Sequence, residues 1–195
     1  MGLIALSDLV DIQMGYSFRA GVAHDPSAPL AVVQMKDLGD DSLVDFSALA
    51  RVTMNVRPAQ LLREGDIVFR SRGDRATCAM VATDPGRALV AAPLLVLRIR
   101  DSQRALPAYL TGFINQPPAQ AYLAKRAEGS NVKMITIATL GGLPVEVPCV
   151  GRQMVVVELA GLSARERILE DRVSAARERL LSGLLLSYAR GGAAE

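Results

Sequence analysis

The spacing of hydrophobic residues changes twice along this chain, which divides it into three stretches. Up to about residue 100 the apolar runs are short and broken by turn residues. Residues 3–13, LIALSDLVDIQ, join a Ser-Asp start to apolar spacing and predict a short helix or turn leading into a domain. Met14 to Arg19, and His24 to Pro29 with its Asp, Ser and prolines, predict loops. Ala31 to Met35 predicts a strand, followed by an acidic turn from Asp37 to Asp41. Leu61 to Asp66 predicts a turn, and the β-branched and aromatic run Ile67-Val68-Phe69-Arg70 a strand. Ala76 to Ala82 and Ala88 to Arg100 supply two or three more, broken at Asp84-Pro85-Gly86 and at Pro93.

After Pro107 the period lengthens. Tyr109, Leu110, Phe113 and Ile114 predict a helix over 108–115, and Tyr122 with Leu123 a second over 118–127. Pro117-Pro118 parts them, and proline is tolerated at a helix start because the first N–H groups lack partners there. Gly129, behind Lys125 and Arg126, predicts the helix stop. Met134 to Leu140 is apolar and β-branched, and Pro144 to Pro148 is a short extended piece that closes the globular part.

From Gly151 to about Ser187 there is neither proline nor a turn cluster. Val155, Leu159, Leu162, Leu169, Val173, Ala176, Leu180 and Leu184 follow heptad-like steps, with Glu166 the polar interruption. Such a helix, on the order of 50 Å long, must bury its stripe against another helix. A helix from another chain is expected, in preference to one folded back on its own domain. The organisation predicted is therefore a globular domain over 1–150, a long helix over 151–188 and a flexible tail over 189–195.

Composition narrows the function. Half of the 195 residues are apolar and the mean hydropathy is +0.24, which excludes intrinsic disorder. The net charge of +2 hides a division. Residues 1–50 hold seven acids against two basic residues, a net of −5, and residues 134–195 balance. Residues 51–133 hold thirteen basic residues against six acids, a net of +7, which favours a polyanionic partner. With no Trp and 4% aromatic residues, stacking platforms for single-stranded bases are few. No charged segment precedes an apolar stretch at the start, and the apolar runs fall far short of the ~20 residues that span a bilayer. The expectation is a cytoplasmic protein with free thiols and no membrane partner.

Catalytic chemistry is not evident. Two cysteines cannot build a disulfide framework or a multi-cysteine zinc site, and both Cys78 and Cys149 read as small buried hydrophobes. One histidine, His24, removes mechanisms that need paired imidazoles. Gln116-Pro117-Pro118-Ala119 lacks the aromatic residue that would stack on a flipped base, and reads as a proline-rich helix start. No acidic-x-Lys triplet and no phosphate-binding glycine loop occur, so no metal or cofactor is expected in this chain.

Three segments, in order, resemble a known family. Leu62-Arg63-Glu64-Gly65-Asp66-Ile67-Val68-Phe69-Arg70-Ser71-Arg72-Gly73 is similar to the segment "leucine, x, x, glycine, aspartate, apolar strand, x, arginine, x, glycine". That segment belongs to target-recognition domains in the specificity subunits of type I restriction–modification systems. Ala127-Glu128-Gly129-Ser130-Asn131-Val132, followed by apolar 135–140, resembles the same domains. Leu143 to Pro148, with Gln153 and a long helix behind it, is the most specific part. The family usually has an acidic residue before that glutamine, where Arg152 stands here.

The resemblance implies an α+β fold: a globular target-recognition domain with a twisted mixed β-sheet and short helices, then one long C-terminal coiled-coil helix. It implies a non-catalytic subunit that reads double-stranded DNA and directs a methyltransferase, which carries S-adenosylmethionine. A restriction subunit can join. Family members have two recognition domains and two long antiparallel helices, so this chain resembles half a subunit. Two copies paired through Val155, Leu159, Leu162, Leu169, Val173 and Leu180 would read a bipartite, inverted target.

The residues offer DNA contacts independently of that likeness. Arg70, Ser71, Arg72 and Arg75 occupy a strand end and a glycine-containing turn, where guanidinium forks suit guanine or phosphate. Lys125, Arg126, Ser130, Asn131 and Lys133 form a second polar loop, with Asn131 suited to adenine. Tyr16, Ser17 and Arg19 form a third. Arg98 and Arg100 share one face of a strand and read as solvent-facing. Two other readings stay open: a scaffold that binds the methyltransferase without reading DNA, and a detached recognition domain of a larger enzyme.

Overall fold

The computed structural model describes residues 2–19, 21–73, 76–129 and 132–189. The chain divides into two units, Met1–Val157 and Glu158–Glu195. In the first, three sheets are formed by β1 (Leu3–Ala5), β2 (Val10–Met14), β3 (Leu30–Val33), β4 (Ala50–Val52), β5 (Ile67–Arg70), β6 (Cys78–Met80), β7 (Ala88–Val90), β8 (Leu94–Ile99) and β9 (Pro144–Glu146). Three short helices accompany them, α1 (Pro107–Asn115), α2 (Pro117–Arg126) and α3 (Ile137–Gly141). A single long helix, α4 (Val150–Ala189), starts in the first unit and makes up the described part of the second. The expected α+β class with a mixed sheet, short helices and a long C-terminal helix is observed, its strands distributed over three sheets. An antiparallel one runs β2-β8-β5-β6, a mixed one β4-β3-β7, and β1 pairs with β9.

The layers follow from side-chain alternation. In β5, Ile67 and Phe69 face a core shared with Leu110, Ile114 and Leu123 of the helices, while Val68 faces a second core. A strand covered on both sides needs no polar alternation, which is why Ile67 to Phe69 is continuously apolar. The second core lies between the two larger sheets, with Ala31 and Val33 from β3 and Ala88 and Val90 from β7. Their neighbours Leu30, Val32 and Leu89 fall on the opposite face, into a third cluster closed by Phe18, Val22 and Leu61. The two-residue period thus sorts each strand between two cores. At the β6 edge of the larger sheet, Asn115 of α1 accepts the Cys78 N–H (2.9 Å) and donates to the Cys78 carbonyl (2.8 Å). That side chain occupies backbone groups an edge strand would otherwise leave open.

Several expectations change. Residues 3–13 are not a helix: Leu6–Asp8 forms one 3₁₀ turn between β1 and β2, because each flanking segment finds a distant partner strand. Tertiary pairing outweighs the weak local helix signal. Gly129 does not stop α2, which ends at Arg126 with Ala127 extended. It adopts φ +100° in the turn where Glu128 pairs with Met134, and an added Cβ would meet the Val132 carbonyl at 2.5 Å. The β-branched 134–140 stretch contains α3, whose Thr136 hydroxyl caps the Thr139 N–H at 3.1 Å. Cys78 is buried as expected, and burial pushes its thiol pKa up. Cys149 is exposed, because its carbonyl belongs to the start of α4 and the buried position in that turn goes to Gln153.

Gln153 is fully buried. Its Oε1 accepts the Leu106 N–H at 2.9 Å, and its Nε2 donates to the carbonyls of Arg104 (2.9 Å) and Pro148 (2.8 Å). One amide thereby ties the first turn of α4 to the loop before α1 and to the segment after β9. The second unit, by contrast, is described as helix alone. Leu159, Leu162, Leu169, Val173 and Leu180 are all exposed, and a lone helix has nothing against which to bury such a stripe. Among the described residues no helix is long and apolar enough to cross a membrane.

Replacing Gln153 by Leu keeps the bulk but leaves one N–H and two carbonyls unpartnered in a buried site. The expected loss is about 2–4 kcal/mol, read as a lower urea midpoint. A midpoint equivalent to less than about 0.5 kcal/mol of change would show that the amide does not hold this junction.

Candidate nucleic-acid interface

The motif around Asp66 is first of all a structural lock. Asp66, 2% exposed, accepts from Arg98 Nε at 2.8 Å and from the same guanidinium's terminal nitrogen at 2.6 Å. It also accepts the Arg63 N–H at 2.8 Å, while Arg98 donates onward to the Leu61 carbonyl. Gly65 supplies the left-handed residue (φ +83°) that turns the chain into β5. Arg98 is therefore not solvent-facing, as the alternation suggested, because a buried carboxylate across the sheet captures it. Its neighbour Arg100 makes an exposed pair with Asp11 at 2.8 Å, of a kind that contributes little to stability.

The topology carries the candidate contacts to one place. Met14 ends β2 opposite Leu95, and Arg70 ends β5 opposite Leu94, so both strands finish where β8 begins. Loops leaving β2 and β5 therefore emerge at the same end of the sheet, two strand spacings, or ~10 Å, apart. The first carries Tyr16, Ser17 and Arg19. Tyr16 is tied to the turn before β8 through its N–H to the Val90 carbonyl (2.6 Å) and its carbonyl to the Ala92 N–H (2.8 Å). Its ring meets Phe18 edge-on at 4.9 Å, and Ser17 and Arg19 are exposed.

The loop that follows β5 and the loop that follows α2 are joined to each other. Gly73 N–H donates to the Lys133 carbonyl (3.1 Å) and Ile135 N–H to the Ser71 carbonyl (2.8 Å), with Arg72 paired opposite Met134. Met134 in turn exchanges backbone hydrogen bonds with Glu128 at 2.8 and 2.9 Å. In this small ladder Arg72 and Met134 share the exposed face, whereas buried Ser71 and Ile135 define the inner one. Lys133, exposed, stands with Arg70 at the rim of a cleft of about 70 Å³ behind the ladder. Arg75, Ser130, Asn131 and the tail beyond Ala189 lie outside the described residues.

The named side chains differ in what they are free to do. Ser71 is buried and its hydroxyl donates to the Pro93 carbonyl. Arg70 is half-buried, donates to the Met35 carbonyl at 2.8 Å and keeps a buried Nε without a partner. Arg126 lies 3.8 Å from the Tyr122 ring centroid, a stacking that holds its guanidinium at the end of α2. Arg72, Lys125 and Lys133 are exposed. Lys36 is not apparent from the sequence, since it sits among the acidic first fifty residues. It follows Met35, whose carbonyl binds Arg70, and so adds an exposed cation beside the same end of the sheet. Among the described residues there is no group of three or more His, Cys, Asp or Glu side chains placed to hold a metal.

This arrangement, a ladder of exposed cations beside an aromatic loop, suits an anionic duplex far better than a small substrate. No protein-family model matches the sequence, and no curated protein matches it. Solved structures do share its fold. A chain from the structural work on complex assembly and conformational transition of the type I R-M system has a TM-score of 0.69 at 19% identity, over 93% of this chain and 43% of its own. The HsdS subunit from Thermoanaerobacter tengcongensis gives 0.63 at 18% identity, over 98% and 45%. The S subunit of a type I restriction-modification system from M. genitalium gives 0.56 at 14%, over 88% and 40%. The fold is that of S subunits of type I systems, and this chain spans less than half the length of those it matches.

The division between scaffold and free arginines is measurable. Arg70→Ala should cost about 1.5–3 kcal/mol of stability through the lost bond to the Met35 carbonyl. Arg72→Ala should stay within about 0.5. Equal urea midpoints for the two variants would contradict the assignment.

Proposed function

We propose that this chain is a sequence-specific recognition subunit for double-stranded DNA that directs a DNA methyltransferase to its target. The observation that carries this reading is that the loops bearing Arg19, Arg72 and Lys133 lie at one end of one sheet, with Lys125 in the last turn of α2 leading into the Lys133 loop. The S-subunit fold supports it, as does the +7 charge of residues 51–133. Arg72 is the residue for base edges in the major groove, with exposed Met134 beside it suited to a thymine methyl. Lys125, Lys133 and Arg19 hold phosphates, which fix register without reading sequence. Arg75, Ser130 and Asn131 remain candidates for contact from the sequence alone.

In this reading the chain has no catalytic role. S-adenosylmethionine and the transfer chemistry belong to the methyltransferase, and a restriction subunit can add cleavage in the cytoplasm. Residues 1–150 read one half-site, and the helix over 151–188 pairs with the helix of a second copy. Two domains related by a two-fold axis then read inverted half-sites at a fixed separation.

The test is binding to the cognate duplex, selected from a random pool with the chain and its methyltransferase. Arg72→Ala should weaken it by about 1–3 kcal/mol and relax preference at one base pair. Lys125→Ala with Lys133→Ala should weaken all duplexes alike and make the salt dependence shallower by ~2 in log–log slope. Unchanged affinity in all variants would remove these residues from the site, whereas methyltransferase binding with no preference for any duplex would favour the scaffold reading instead.

A further inference from the structure

The ladder that carries Arg72 is three segments wide, and its third segment brings an acid to the row of exposed side chains. Met134 stands in the middle. On one side it lies opposite Arg72, flanked by the bonds from Gly73 N–H to the Lys133 carbonyl and from Ile135 N–H to the Ser71 carbonyl. That is the non-hydrogen-bonded kind of antiparallel pair, with Cα atoms ~4.5 Å apart. On the other side Met134 and Glu128 exchange both backbone bonds, the wider kind, at ~5.5 Å. Directly opposed residues point to the same face of a ladder. Arg72, Met134 and Glu128 therefore form one row, and all three are exposed.

A carboxylate is out of place on a surface that only holds phosphates. Glu128 stands near Lys125, Arg126 and Lys133 in the chain, yet among the described residues its side chain makes no hydrogen bond or ion pair. Met134 lies between it and Arg72, so the two opposite charges do not close on each other. Toward a phosphate this carboxylate is repulsive. Toward a base edge in the major groove it has a use, because Glu accepts from cytosine N4 as Arg donates to guanine O6 and N7. The row thus presents a donor fork, an apolar side chain and an acceptor. From Arg72 to Glu128 it spans about 10 Å. That matches the rise of about three base pairs at ~3.4 Å each.

We propose that Glu128 is a specificity-determining residue, which accepts the N4 amino group of a cytosine within about three base pairs of the guanine read by Arg72. Its charge acts in two directions. It lowers affinity for every duplex by repelling phosphates, and it raises affinity for the one duplex that offers an amino group in the right place. The gap between cognate and other sequences widens on both counts. This rests on the DNA-reading function and names one contact within it.

The experiment uses the full chain with its methyltransferase, the duplex selected from a random pool, and a second duplex of scrambled sequence. Glu128→Ala should weaken binding to the selected duplex at least about 5-fold and tighten binding to the scrambled one. The bonds to Met134 are backbone and survive the change, so the ladder stays in place. Repeating the selection with the variant should relax preference at one C·G pair, within about three base pairs of the position that Arg72→Ala relaxes. Tighter binding to both duplexes would reduce Glu128 to a repulsive charge, and weaker binding to both would make it a positioning residue for the neighbouring cations. Either result would overturn the proposal, as would relaxation at an A·T pair. A preference that survives Glu128→Ala unchanged would remove this contact alone, whereas a wild-type chain that prefers no duplex would remove the DNA-reading function itself.

Discussion

A single buried amide holds the two ends of this domain together. Gln153 stands in the first turn of a 40-residue helix, and its three hydrogen bonds reach the loop between β8 and α1 and the segment after β9. β8 is the strand on which both β2 and β5 pair, and α1 covers their inner face. The glutamine therefore couples the start of α4 to the sheet whose far end bears the candidate contacts. A carboxylate could not replace it, because two of its three partners are carbonyls that need a donor. That asymmetry explains why a neutral amide occupies the position.

A comparable economy governs the interface. Residues that look like DNA readers in sequence separate into two kinds once hydrogen bonds are assigned. Arg70 ties β5 to the 35–37 turn and Ser71 closes on the turn before β8, joining Asp66 and Arg98, never candidates themselves, which lock the turn before β5. These side chains hold the frame rigid, and the free cations Arg72, Lys125 and Lys133 stand on it. Rigid support of a few exposed heads limits the ordering entropy lost when a duplex binds.

Much of this was legible because it depends on local pattern. The strand at 67–70, the paired helices around Pro117 and the long helix all follow from period and from proline placement. What sequence missed depends on partners far along the chain. Residues 3–13 carry helix-like spacing, yet β1 and β2 form because β9 and β8 lie beside them. Arg98 looked solvent-facing because alternation says nothing of a carboxylate 32 positions away. Lys36 was hidden by averaging charge over a segment, since a fold gathers single residues and not segments. The three candidate loops, by contrast, were found individually, and only the strand order shows that they share one end of the sheet.

The central claim is that this domain reads half of a two-part DNA target for a methyltransferase. The most direct measurement is a map of methylated bases in cells that express the chain with its methyltransferase, set against cells that lack the chain. The account predicts methylation confined to two inverted half-sites at one constant separation, present only when the chain is. Methylation that is unchanged without the chain, or that falls on one undivided asymmetric motif, would contradict it.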